Sequence, residues 1–198
     1  YYASQYMLSM AMTMLNNRLN ELRQTANPPF TNASAGYGEF FLAKTKEAFS
    51  LDARSKVDGI DLAMKTVLEE AERARRFGFT ATEYERARSN YMQGVESAYN
   101  EREKTKSGSY VNEYVNNFLD KEPIPGIEFE YMLTKQMAPN IPVEAINKMM
   151  QQLITDNNQV VLLAGPEKEG VKYPTKDEIT ALLKQMKSFD LKPYEDKV

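Results

Sequence analysis

The stretch from Glu69 to Tyr91 constrains the fold most, because it contains the end of one helix, a sharp corner and the start of the next helix. Gly78 suits the left-handed backbone position just past a helix C-terminus, since it has no Cβ to clash there. Three arginines lie within residues 73–76, where the helix dipole favours positive charge. The stretch therefore predicts an αα-corner.

The residues after the glycine form a capping box. The Thr80 hydroxyl can accept a hydrogen bond from the Glu83 backbone N–H, and the Glu83 carboxylate can accept one from the Thr80 N–H. Phe79 and Tyr84 occupy the two positions of a hydrophobic staple. The capping and staple roles explain each of these residues. The motif therefore predicts local structure, and no catalytic role is inferred for Glu83.

Composition excludes several kinds of functional site. The chain of 198 residues contains no His and no Cys, so it can form neither a Ser-His-Asp triad nor a usual zinc site. A net charge of −3 disfavours nucleic-acid binding. No run approaches the roughly 20 apolar residues of a membrane span. We therefore expect no catalytic residue, no metal ligand, no nucleic-acid partner and no membrane partner in this segment.

Before the corner, apolar periodicity predicts a helix, a hairpin and a second helix. A Met-rich opening helix should end near Ala26, because two prolines follow. Residues 30–42 and 47–52 are predicted as antiparallel strands, joined by a polar link at residues 44–46. The second helix should begin at Ser55, which can serve as its N-cap, and end at the corner.

After the corner, more helices and one late strand are predicted. The helical pattern is interrupted near Gly108 and continues over residues 127–137 and 143–153. The apolar run QVVLLA, residues 159–164, predicts a buried central strand. A second capping box, Thr175–Glu178, opens the last helix. Together the elements indicate an α+β fold with a small antiparallel or mixed sheet and helices packed on one face.

Side chains that could carry chemistry are few. The acidic pair Glu69/Glu70, like other such pairs, falls on a predicted helix surface, where we expect solvated carboxylates. Arg18 and Arg23 lie near the end of the opening helix, where the helix dipole favours them. The alternative role for these arginines is a clamp for a carboxylate or for a peptide backbone.

The order of these elements resembles the insulinase-like (pitrilysin) zinc metallopeptidases, relatives of the mitochondrial processing peptidase. The resemblance covers nearly the whole chain and rests on Asn17-Arg18-Leu19, Leu22-Arg23, Pro28-Pro29-Phe30, the corner Arg76-Phe77-Gly78-Phe79-Thr80-Ala81-Thr82-Glu83-Tyr84 and Val160-Val161-Leu162-Leu163. Members of this family are built from repeated α+β domains in two halves that enclose an unfolded peptide. Their first domain carries an H-x-x-E-H zinc motif.

Because this chain has no His, the resemblance implies the non-catalytic domain that follows the zinc domain. Its role would be to pack against the zinc domain and to wall the peptide chamber. The segment itself would need no cofactor and would be inactive, whereas zinc and peptide hydrolysis would belong to the parent protein. The implied partners are the remaining domains of the same polypeptide and a peptide substrate, in a bacterial periplasm or another extracytoplasmic compartment.

One pair of residues can be compared with the family directly. The C-terminal half of such enzymes often has an Arg and then, at a set spacing, a Tyr, and both reach the substrate. At that spacing this chain has Arg23 and then Phe30, so the phenolic hydroxyl is missing. The resemblance implies Arg23 and Phe30 as substrate-binding residues, and the missing hydroxyl favours a structural domain.

The resemblance also bears on domain boundaries. The family domain begins with a strand before its first helix, and this chain lacks one, so an edge of the sheet should be open or covered by another segment. We expect a fragment with one α+β domain over residues 1–189 and a linker-like tail over residues 190–198. Two alternative functions are a free-standing peptide-binding or scaffold module and an independent enzyme that uses carboxylates alone.

Overall fold

A computed structural model describes residues 1–40, 43–167 and 169–196. The helices and strands among them are α1 (Tyr2–Arg23), β1 (Asn32–Phe40), β2 (Ala43–Arg54), α2 (Ile60–Phe77), α3 (Ala81–Asn100), α4 (Val111–Asp120), α5 (Ile127–Met137), α6 (Val143–Leu153) and α7 (Lys176–Gln185). The chain is rich in helix and has a small antiparallel sheet of two strands within these residues. The predicted α+β fold class is confirmed.

The chain divides into two compact units. Unit 1 comprises residues 1–84 and 143–198, and unit 2 comprises residues 85–142. Unit 1 therefore contains α1, the β1–β2 hairpin, α2, the corner, α6 and α7. The predicted division into a domain over residues 1–189 and a linker-like tail over residues 190–198 stays a prediction.

The core of unit 1 is built on one face of α1, which packs against β1, α2 and α6. The buried apolar residues of α1 follow helical spacing and are Tyr6, Met10, Ala11, Met14, Leu15 and Leu19. Each large apolar side chain buried in this way contributes about 1.5–3 kcal/mol to folding. The apolar stripe of α1, which includes Met10 and Met14, is thus a core face.

The hairpin pairs antiparallel, as predicted, from Asn32 opposite Arg54 to Glu39 opposite Glu47. The predicted link at residues 44–46 is wrong, because these residues belong to β2. Glu39 lies opposite Glu47 and Phe40 lies opposite Ala43, so residues 44–46 fall at an irregularity of the ladder, where β2 carries extra residues. Residues 41 and 42, which the first predicted strand included, lie outside the described residues.

Helix α2 begins at Ile60, so the predicted start at Ser55 is wrong. The chain first makes a turn in which the Gly59 N–H donates to the Lys56 carbonyl at 3.0 Å. This turn places Gly59 at the N-cap position of the helix. The helix then runs to the predicted corner, where α3 begins at Ala81.

The predicted buried strand over residues 159–164 is also wrong. In the part of the chain that the structure describes, only β1 and β2 form a sheet, and the QVVLLA run is exposed. Val160 is 67% exposed and Leu162 is 75% exposed. The apolar pattern identified residues that favour a strand, but a strand also needs a neighbour for its backbone hydrogen bonds.

Unit 2 contains most of α3 together with α4 and α5. The predicted interruption near Gly108 is confirmed, since two short 3₁₀ turns separate α3 from α4. The ring of Tyr99 at the end of α3 stacks on Tyr131 of α5, with centroids 4.5 Å apart. Helix α4 is exposed along its whole length. No helix among the described residues is both long and apolar enough to cross a bilayer.

Candidate functional site

The corner between α2 and α3 has the predicted capping box. The Glu83 N–H donates to Thr80 Oγ1 at 3.2 Å, and the Thr80 N–H donates to Glu83 Oε2 at 2.8 Å. Phe79 and Tyr84, the predicted staple residues, are both buried. The capping box is therefore confirmed, and its two bonds hold the Glu83 carboxylate in one orientation.

Gly78 has the predicted positive φ but not the left-handed helical conformation. Its φ of 71° and ψ of −162° lie in a region that is essentially open to glycine alone. A Cβ at this position would lie 2.4 Å from Cγ of Asn147 on α6. Asn147 is held in place because it accepts from the Phe79 N–H at 2.7 Å and donates to the Phe79 carbonyl at 3.2 Å. Both the backbone and the packing of α6 therefore require glycine.

The guanidinium of Arg18 lies at the centre of the corner and is 1% exposed. Its Nε and Nη2 donate to the two carboxylate oxygens of Glu83 at 2.7 and 2.8 Å. Its Nη1 donates to Glu70 at 3.3 Å, and its Nη2 also donates to the Gly78 carbonyl at 2.9 Å. The planar fork of arginine matches a carboxylate in this way. Arg18 thus clamps a carboxylate and a backbone carbonyl, and both belong to this chain.

Two aromatic rings lie against the Arg18 guanidinium. The ring centroids of Phe79 and Tyr194 are 4.8 and 4.2 Å from its central carbon. The Tyr194 hydroxyl donates to Glu21 Oε2 at 2.7 Å. Burial and then this hydrogen bond raise the pKa of Tyr194, so the phenol remains a donor. We refer to Arg18, Glu70, Glu83 and Phe79 as the Arg18 centre.

Another buried carboxylate, that of Glu72, lies beside this centre on α2. Glu72 accepts from Arg75 Nε at 2.7 Å and from Arg76 Nε at 2.5 Å. Burial alone would raise the pKa of Glu72, but the hydrogen bonds from the two arginines outweigh it and hold this pKa below its usual value. Glu72 is therefore a charged group that stabilises the end of α2 while it remains ionised.

Sequence reasoning missed the buried carboxylates. The prediction that Glu70 is solvated is wrong, because Arg18 and Arg73 both donate to it and satisfy it inside the protein. Its neighbour Glu69 is only partly exposed and pairs with Lys65 at 3.7 Å. One signal was present: arginines follow Glu70 and Glu72 at the spacing of helix neighbours. That spacing does not reveal which carboxylates face the core.

The structure does not present the two predicted substrate-binding residues on one surface. Arg23 is exposed at the end of α1 and donates to Asn20 Oδ1 at 2.7 Å. Phe30 is 1% exposed and belongs to the core of unit 1. Their role in substrate binding stays a prediction.

The remaining features of the described part of unit 1 offer a binding surface. A groove of about 720 Å³ lies between residues 159–167 and the start of α7, and Val161, Leu163, Ile179 and Leu183 supply its apolar lining. No cluster of carboxylates that could hold a metal ion occurs among the residues that the structure describes. The polar groups of the Arg18 centre are bonded to one another and to Arg73 of the same chain, so the centre is a rigid frame.

About half of the chain is similar in sequence to a known protein. The chain is 36% identical over 95 residues to a zinc protease PQQL-like protein of Arabidopsis thaliana, a match that covers 48% of this chain and 10% of that protein. No family model matches the chain.

Solved structures extend the likeness to nearly all of the fold. The periplasmic protease PqqL from Escherichia coli matches with a TM-score of 0.80 and 21% identity, over 99% of this chain and 22% of PqqL. In a structure of the first half of PqqL the match covers 42% of that chain. A predicted insulinase family protease from Yersinia pestis matches with a TM-score of 0.75 and 11% identity, over 94% of this chain and 39% of the other.

The chain therefore spans 22% or less of the full-length relatives it matches. The resemblance to the insulinase-like zinc proteases is confirmed, and the chain matches a partial segment of such proteases.

Proposed function

We propose that this chain is a non-catalytic domain of an insulinase-like zinc protease. Its role is to pack against the zinc domain and to form part of the wall around the bound peptide. The observation that carries the proposal is the match of 99% of the chain to 22% of PqqL, in a chain without a single His. Such a segment can support a zinc site built elsewhere in the polypeptide.

The Arg18 centre supports a structural role. Its carboxylates are buried and bind arginines of the same chain. Activating a water molecule would require a carboxylate that is open to solvent or to a metal ion. The centre therefore stiffens the corner between α2 and α3, and a stiff corner suits a domain that others pack against.

The parent protein supplies the chemistry in this proposal. Its zinc domain binds the metal ion and hydrolyses peptides, and the other domains of the same polypeptide are the direct partners of this one. The name of the Arabidopsis relative, a zinc protease, supports zinc in the parent. PqqL is described as periplasmic, which supports a bacterial periplasm or a similar compartment.

Measurements on the chain alone and on its parent test the proposal. We expect the purified chain to contain far less than one zinc per molecule and to leave a fluorogenic peptide uncut. The parent should contain stoichiometric zinc and should lose its peptidase activity in a chelator. Stoichiometric zinc in the chain alone, or peptide turnover that survives the chelator, would overturn the proposal.

The groove beside α7 favours a second function, a free-standing peptide-binding module. Its apolar lining and the adjacent exposed run at residues 160–163 suit an extended peptide. In that case the isolated chain would bind labelled apolar peptides saturably, with fluorescence anisotropy as the readout. A Leu183→Lys variant, which places a charge in the groove, would abolish that binding.

A further inference from the structure

The residues that follow α7 return across the corner. We call residues 186–196 the strap. Arg76 on α2 donates from its two terminal nitrogens to the backbone carbonyls of Met186 and Phe189, at 2.7 Å each. The last turn of α2 thereby holds the first part of the strap by its backbone.

The rest of the strap is held at two more points on either side of the corner. Arg73, one turn earlier on α2, donates from Nη1 to the Lys192 carbonyl. Near the start of α3, the Thr82 hydroxyl donates to the Asp196 carboxylate. The strap therefore reaches from α2 to α3.

Tyr194 is the one residue of the strap that reaches the Arg18 centre. Its ring lies 4.2 Å from the guanidinium carbon of Arg18, and its hydroxyl bonds to Glu21 on α1. The ring thus covers the Arg18 centre. Tyr194 also connects the strap to α1, which makes α1 the third helix that holds it.

These contacts can be lost without unfolding unit 1. In the described part of the strap only Met186 is buried, and apart from the ring contact of Tyr194 the contacts described above are hydrogen bonds. Such bonds contribute little each, because water replaces them when they break. Arg73 and Arg76 also donate to Glu70 and Glu72 on α2 itself, so these two bonds do not involve the strap. Segments of this kind open locally while the core stays intact.

We propose that the strap is a reversible latch. In the docked state it covers the Arg18 centre and connects α1, α2 and α3. In the undocked state it uncovers that centre, while the α1 core remains folded. The inference goes beyond the proposed function, since it holds for this chain with or without a zinc domain.

Distance measurements between spin labels test the latch. The chain has no Cys, so two engineered cysteines are the only labelling sites. We place them by Asn17→Cys on α1 and Glu195→Cys on the strap, both at exposed positions. Pulsed electron paramagnetic resonance on the full chain should give one dominant distance. Tyr194→Ala should raise the ratio of undocked to docked chains about tenfold, since it removes the ring contact and one hydrogen bond.

Two further variants make the result decisive. Tyr194→Phe keeps the ring over Arg18 and loses only the bond to Glu21. Its distance distribution should therefore be broader than that of the chain with Tyr194 and narrower than that of Tyr194→Ala. Tyr173→Ala, which removes a tyrosine of unit 1 outside the strap, should leave the distances unchanged. An equally broad distribution in the unchanged chain, or an equally narrow one in Tyr194→Ala, would overturn the proposal. Loss of cooperative unfolding in both Tyr194 variants would also overturn it, because the strap would then belong to the core.

Discussion

Two regions of unit 1 reverse the usual distribution of polar and apolar residues. At the corner, Arg18 and the carboxylates of Glu70 and Glu83 are buried, whereas along residues 160–163 apolar side chains are exposed. The Arg18 centre is complete, because each of its carboxylates has an arginine partner within the chain. The apolar run has no strand beside it in the described residues. In these two regions, whether a residue is buried depends more on whether it has a bonding partner than on whether it is polar.

The contrast separates a region that the isolated chain can fold by itself from a region that needs a partner strand. The corner should form in the isolated chain, since all of its contacts are internal. The apolar run should be covered only when a neighbouring strand is supplied, and the parent protease of the proposed function would supply one. Substitutions in each region test the two sides of this contrast.

Removing the central cation should have the largest effect. Arg18→Met leaves the buried carboxylate of Glu83 without its arginine partner and removes one of the two arginines that bond to Glu70, which should cost about 3–5 kcal/mol of unfolding free energy. Arg23→Met, an exposed arginine on the same helix, is the matched control and should change it by less than about 0.5 kcal/mol. Urea denaturation measures both. Equal losses in the two variants would show that the Arg18 centre is not a stabilising feature.

The next effect comes from the backbone of the corner. Gly78→Ala should cost about 2–4 kcal/mol, because the conformation is strained for any residue with a Cβ and the methyl group meets Asn147. Gly94→Ala is a control of opposite sign, since Gly94 lies within α3 with open space around it. That exchange should stabilise the protein by about 0.5–1 kcal/mol. Thermal melts that show the same sign for both would contradict this account of the corner.

Glu72 provides a pH test. Glu72→Gln should cost about 2 kcal/mol at neutral pH, because the bonds from Arg75 and Arg76 lose their charge assistance. The folded-state pKa of Glu72 lies below its usual value, so its stabilisation is present above the unfolded pKa and is lost as pH falls through the folded pKa. The difference in unfolding free energy between the unchanged chain and Glu72→Gln should therefore shrink below about pH 4. Urea titrations from pH 7 to pH 3 measure it.

The matched control for this test is Glu85→Gln, at an exposed carboxylate that pairs with Arg88. It should leave the unfolding free energy within about 0.5 kcal/mol at every pH. A Glu72→Gln difference that stays constant from pH 7 to pH 3 would mean that the Glu72 charge does not stabilise the fold.

The smallest effect is expected in the apolar run. Leu162→Ser should change the unfolding free energy of the isolated chain by less than about 0.5 kcal/mol, because the side chain is 75% exposed. Leu15→Ala, in the core face of α1, should instead cost about 2–5 kcal/mol. In the longer protease Leu162→Ser should destabilise. A large loss in the isolated chain would show that the run is already packed.

Local features of the fold could be predicted from the sequence because their causes lie within a few residues. The capping boxes at Thr80–Glu83 and Thr175–Glu178 need only neighbours in the chain, and both are present. The Met-rich core face follows from helical spacing alone. The Arg18 centre could not be predicted, because Arg18 and Glu83 are 65 positions apart and no local pattern connects them.

The apolar run shows the other limit. Residues 159–164 have the composition of a buried strand, and composition determines the preference of a segment for that state. Whether the strand forms depends on a partner, and the pattern carries no information about one. The same holds for Tyr194, whose position in a polar tail gave no sign that its ring covers Arg18.

Hydrogen exchange tests the contrast between the two regions most directly. In the isolated chain we predict that the amides of residues 160–163 exchange rapidly, while those of residues 14–19 in α1 are protected. In the longer protease the amides of residues 160–163 should exchange much more slowly, and those of α1 should not change. Protection of residues 160–163 in the isolated chain, or their rapid exchange in the longer protease, would contradict the account.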